Sequence, residues 1–181
     1  DADGETVFAT DWNWIVPAFD MDNPDLVFFD DMLTCLSESY SVNLERVYVT
    51  GISAGGLFSS FVGIHRAHKI AAAAPFSGGY IFDLNGDLPK IPFMVNWGGP
   101  TDLAVGHDFH TWGLEMIDKL VGVDHFVVAC NHAQGHSHWE PLQPVALNFM
   151  LNYTLSGDKG DPFGGVLPDE FPDYCEIAAG D

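Results

Sequence analysis

Apolar residues along this chain fall into two kinds of stretch: short unbroken runs, and longer segments in which they recur every three or four positions. After the helix-start signal Asn23-Pro24-Asp25, residues Leu26, Phe29, Met32, Leu33 and Leu36 repeat at helical spacing to about Tyr40. Val47 to Thr50 is a β-branched run without clean alternation, as suits a parallel strand covered on both faces. Leu57 to His68 continues as a helix buried through Leu57, Phe58, Phe61, Val62 and Ile64. Ile70 to Phe76 and Ile91 to Trp97 have strand length and are stopped by Ser77-Gly78-Gly79 and Gly98-Gly99-Pro100. A helix through Trp112, Met116, Ile117 and Leu120, a strand from Phe126 to Cys130 and a closing helix from Pro141 to Tyr153 complete the series. Strand and helix therefore alternate, which predicts an α/β fold with a doubly wound, mostly parallel sheet. Asp83 to Asp87 reads as a surface turn, and beyond Ser156 the chain becomes rich in Gly, Pro and Asp. Residues 156–181 are expected to be a tail packed on the domain formed by 1–155.

Candidate chemistry gathers where those strands end. Gly51-Ile52-Ser53-Ala54-Gly55 joins a strand to a helix-compatible stretch, the setting in which a strained turn pushes a serine hydroxyl into the open. Ala54, next in line at the helix start, is placed to offer a backbone N–H to an oxyanion. A serine needs a base, and the base needs a carboxylate to hold its tautomer. Asp102 follows a strand and is the expected acid, with Asp108 a competitor in the same loop. The segment Asn131 to Pro141 offers His132, His136 and His138; His136, preceded by a glycine, is the favoured base. Trp97 and Trp139 adjoin these positions and are candidate substrate-binding residues. The same histidines with His107 or His110 form the raw material of a zinc site, but no His-Glu-x-x-His helix or cysteine pair supports one. No metal and no cofactor are expected.

These residues carry a resemblance. Phe28-Phe29-Asp30-Asp31, Arg46 to Gly56, Ala74-Pro75 with Gly78-Gly79, and Gly135-His136 with Trp139 and Pro141 resemble the polyhydroxybutyrate depolymerase and feruloyl or acetylxylan esterase group of α/β-hydrolases. The resemblance implies a Ser53, Asp102, His136 triad and a carboxylic ester substrate. It departs from the group's pattern at His138, at Glu140 and in Gly98-Gly99-Pro100-Thr101 before the acid. It also calls for N-terminal strands and a loop giving a second oxyanion N–H, which the residues before Ser53 do not spell out. Val7 to Thr10 is a candidate for the last of those strands. The expectation is the C-terminal portion of a longer catalytic domain, or a sheet completed by a second chain. The alternatives are a non-catalytic carbohydrate- or polymer-binding module on a hydrolase scaffold, and a serine peptidase with the same triad.

Composition narrows the partners. With 26 acidic against 6 basic residues the net charge is -20, which disfavours nucleic acid and anionic membrane surfaces. No apolar run is long enough for a membrane span. Of the three cysteines, Cys35 is expected to be a buried helix residue, and Cys130 is paired with Cys175 to anchor the tail. Such a bridge implies an oxidising compartment, hence a secreted or cell-envelope protein.

Overall fold

The computed structural model describes residues 23–84 and 87–179. In chain order its elements are α1 (Pro24–Ser39), β1 (Tyr48–Ile52), α2 (Ala54–His65), β2 (Ala72–Phe76), β3 (Phe93–Trp97), the short strands β4 (Leu103–Ala104) and β5 (His107–Asp108), α3 (Phe109–Gly122), β6 (Val127–Asn131), α4 (Gln143–Leu151) and β7 (Cys175–Ile177). The main sheet has the order β1-β2-β3-β6-β7. Its first four strands are parallel, and β7 runs antiparallel to β6. β4 and β5 form a separate hairpin.

Successive side chains of a strand point to opposite faces, and here both faces are covered. Ala73, Phe93, Val95, Val127 and Ala129 meet Leu26 and Phe29 of α1, Phe61 and Ile64 of α2, and Met116 and Leu120 of α3. Their neighbours Ala72, Ala74, Phe76, Met94, Val128 and Cys130 meet Val145, Ala146 and Phe149 of α4 on the other face. This is why the strands read as unbroken apolar runs rather than alternating ones. Alanines in β2 let α2 come close: a Cβ added at Gly63 of α2 would lie 3.2 Å from the Cβ of Ala73. The start of α1 follows its sequence signal, with the Asn23 side chain accepting the N–H groups of Asp25 and Leu26.

Several expectations are corrected. α2 starts at Ala54, as expected of the residue after Ser53, but ends at His65 rather than His68. Met32 and Leu36, assigned to the inward stripe of α1, are 43% and 42% exposed, while Leu26 and Phe29 are buried. Cys35 is exposed rather than buried. The tail contributes β7, a strand that periodicity did not reveal. Its Phe171 is buried against the α4 face, with Phe163 and Leu167 packed beside it. Cys130 and Cys175 are disulfide-bonded. Val7 to Thr10, Trp12 and Trp14 lie outside the described residues, as do Asn85 and Gly86 of the Asp83 to Asp87 turn. Among the described residues, no helix is long and apolar enough to cross a membrane.

Candidate active site

Ser53 stands between β1 and α2 with φ 57° and ψ -122°, a conformation that non-glycine residues rarely adopt. Its N–H donates to the carbonyl of Phe76 at 3.1 Å, and its own carbonyl accepts the N–H of Leu57 at 2.8 Å. The serine is thus fixed at both ends of its turn. Two glycines permit this. A Cβ on Gly51 would strike the backbone of Gly55, and one on Gly56 would strike the carbonyl of Phe76, whereas one on Gly55 would meet nothing. The steric demand therefore falls on Gly51 and Gly56, not on the second glycine of the Gly-x-Ser-x-Gly wording. Ala54 is the first residue of α2, and N–H groups of a first helical turn have no partner within their helix.

Beyond β3, a single 3-10 turn, Gly99–Thr101, delivers Asp102 into the interior, where it is 0% exposed. Its carboxylate accepts three hydrogen bonds. Oδ1 takes the Nδ1–H of His136 at 2.8 Å, while Oδ2 takes the Ser77 hydroxyl at 2.9 Å and the Gly98 N–H at 2.8 Å. A buried carboxylate needs such donors to remain tolerable. With Nδ1 protonated toward Asp102, the neutral His136 ring keeps Nε2 as an acceptor.

The histidine loop is pinned to the acid loop by backbone. Gly135 N–H donates to the Gly98 carbonyl at 3.0 Å, and His132 N–H to the Trp97 carbonyl at 3.0 Å. A Cβ at Gly98 would overlap the backbone of Gly135, which itself has φ 66°. The glycine before His136 therefore serves contact with the acid loop. Phe109, whose N–H donates to the Asp102 carbonyl at 3.0 Å, lays its ring against that of His136 with centroids 4.4 Å apart.

The competing residues have other work. Asp108 caps α3, accepting from the Thr111 N–H and hydroxyl. His138 is exposed and meets the Phe76 ring edge-on at 4.6 Å. His132 is buried, stacks on Trp139 and accepts the Gln134 N–H at Nδ1; burial pushes its pKa down, partly opposed by the charge of Asp102. The loop histidines thus diverge, and among the described residues no three metal-ligating side chains converge. Trp97, expected to line a substrate pocket, is 6% exposed and belongs to the core. It packs on Gly113 of α3, and its Nε1–H donates to His110 at 3.0 Å. Trp139 is half-buried against the α4 face. Ser77 and Phe109 escaped sequence reasoning as site residues; the one available signal was Ser77-Gly78-Gly79 at a strand end.

Solved structures share this arrangement of strands and helices. The crystal structure of native pOPH superposes with a TM-score of 0.69 at 22% identity, covering 90% of this chain and 61% of that one. The chain has the α/β-hydrolase fold. A thermostable esterase gives a TM-score of 0.57 at 20% identity over 72% of this chain and 37% of its own. No protein-family model matches. Among curated proteins, a bifunctional acetylxylan esterase/xylanase of Neocallimastix patriciarum is 34% identical over 79 residues, 44% of this chain and 12% of the relative. Feruloyl esterase D of Neurospora crassa is 29% identical over 85 residues, 45% of this chain and 29% of the relative. The chain spans well under half the length of these curated relatives.

Proposed function

We propose that this α/β-hydrolase chain carries the catalytic residues of a serine carboxylic-ester hydrolase. The observation that bears most weight is the buried Asp102 bonded to His136, on the same end of the sheet as a serine held in a strained strand-to-helix turn. Similarity to acetylxylan and feruloyl esterases supports an ester as the substrate. In this mechanism Ser53 Oγ attacks the ester carbonyl while its proton passes to His136 Nε2, and Asp102 stabilises the resulting imidazolium through Nδ1–H. The Ala54 N–H stabilises the tetrahedral oxyanion. Collapse expels the alcohol, which takes the proton from His136, and water then releases the acid from Ser53 by the same steps in reverse.

Trp139, half-buried beside the histidine loop, is the side chain we assign to substrate contact. β1 ends the sheet among the described residues, and we place the second oxyanion donor on polypeptide that pairs along its open edge, in the same chain or a second one. The Cys130 to Cys175 bridge supports a secreted or cell-envelope location.

Hydrolysis of a short-chain p-nitrophenyl ester by the wild-type protein, Ser53→Ala and Asp102→Asn tests the mechanism. Both substitutions should lower kcat by about 10⁴-fold or more, and a fluorophosphonate should label Ser53. Equal turnover by wild type and Ser53→Ala overturns the proposal, as does a fluorophosphonate adduct on another residue.

A further inference from the structure

Ser77 has no place in the mechanism above, yet it is fully buried and holds a conformation that serine disfavours. Its φ is 41° at 0% exposure. A glycine there would remove the backbone strain. The hydroxyl is what a glycine would lose, and that hydroxyl donates to Asp102 Oδ2 at 2.9 Å.

The location of Ser77 explains the reach of this bond. β2 lies between β1, which presents Ser53, and β3, which leads to Asp102. The carbonyl of Phe76 holds the Ser53 N–H, and the Ser77 N–H donates to the Asn96 carbonyl at 2.8 Å. Gly78 then passes beneath the start of α2, so close that a Cβ on it would lie 2.9 Å from the Gly56 backbone. The end of β2 is thereby fastened to the nucleophile turn on one side and to the acid strand on the other. With these contacts in place, the backbone of Ser77 has little freedom, and its hydroxyl arrives at the carboxylate already oriented.

We infer that Ser77 is a positioning residue that sets the orientation of the Asp102 carboxylate, and through it the Nδ1–H bond to His136. Oδ2 has two donors, the Ser77 hydroxyl and the Gly98 N–H. Two donors from different strand ends prevent rotation of the carboxylate about its Cβ–Cγ bond. One donor leaves that rotation open and lets Oδ1 swing away from the imidazole. Ser77 is fully buried, so its loss should act on the chemical step and leave binding unchanged.

The inference rests on the proposed esterase mechanism for its kinetic consequence, but the hydrogen bond it concerns can be read without turnover. In proton NMR of the whole protein, the His136 Nδ1–H bonded to Asp102 should give a low-field resonance, assigned by its loss in Asp102→Asn. Ser77→Gly, which relieves the strain and removes the hydroxyl, should shift that resonance upfield or broaden it. It should also lower kcat by about tenfold to a hundredfold with KM within about twofold. Ser77→Ala should behave alike in both readouts, with lower thermal stability than Ser77→Gly because it keeps the strained backbone. A folded Ser77→Gly protein with the wild-type resonance and kcat overturns the inference. Should wild type and Ser53→Ala hydrolyse esters equally, the esterase mechanism fails, and the resonance alone then decides the role of Ser77.

Discussion

At the scale of single residues, backbone strain and close approach mark the site. Of the five non-glycine residues with positive φ among the described residues, Ser53, Ser77, Val105 and Ala133 each lie on a segment that follows the carboxyl end of a strand. Such conformations cost on the order of 1–3 kcal/mol each and persist where surroundings enforce them. The glycines of the nucleophile turn are unequal for the same steric reasons. Gly56→Ala should destabilise the protein by about 1–3 kcal/mol, because its new Cβ meets backbone that cannot rotate away. Gly55→Ala should stay within about 1 kcal/mol of wild type, since its Cβ enters open space and alanine favours the helix. Urea unfolding of the two variants measures the contrast; equal losses would refute it. The motif wording alone could not have ranked these glycines, since Phe76, which decides between them, is distant in sequence.

Among the elements, the least regular ones complete the sheet and the site. β7 is three residues long and lies in a Pro- and Asp-rich tail, so neither period nor propensity announces it. It is added to the edge of β6 with Cys130 and Cys175 in register and covalently joined. The bridge closes a sequence separation of 45 residues, and a loop of that length implies about 4 kcal/mol of stabilisation from chain entropy. Replacing both cysteines by alanine should lower stability by about 2–5 kcal/mol, seen as a lower thermal midpoint that reductant no longer affects. A midpoint unchanged from wild type would show that packing by Phe171 and its neighbours suffices. The β4–β5 hairpin has a comparable role beside the acid. It begins immediately after Asp102 and ends just before Phe109, so the carboxylate holds His136 by one edge while the aromatic ring holds a face.

For the molecule as a whole, charge and burial pull stability in opposite directions as pH falls. Burial pushes the pKa of His65 down to about 4 and lowers those of His125 and His132. In the unfolded chain these side chains titrate near 6.5, so below that pH the unfolded state binds more protons and gains stability relative to the native one. The histidine contribution is complete above about pH 6.5 and declines until pH reaches the folded value, about 4 for His65. Protonating carboxylates would relieve the repulsion of a -20 net charge, but they titrate mostly below about pH 5. Between pH 7 and pH 5 the histidines should therefore prevail, and the free energy of unfolding should fall. Urea denaturation at both pH values checks the sign, and His65→Gln should flatten the slope.

What the sequence determined by itself is what short-range physics controls. The alternation of strand and helix, the start of α1 at Asn23 and the presence of a strained serine turn at Ser53 depend on residues within a few positions of one another. Burial of β2, β3 and β6 on both faces was legible because it leaves an unbroken apolar run, whereas β1, expected to be covered alike, is only half-buried with Thr50 exposed. Tertiary structure alone decided the rest, because the deciding contacts join segments far apart in the chain. Gly98 meeting Gly135 brings His136, and not His138, to Asp102; Ser77 reaches Asp102 from a neighbouring strand; Trp97 turns into the core against α3; and Cys35 faces solvent. Each depends on which side chain a distant backbone leaves room for, and that information exists only once the chain has closed on itself.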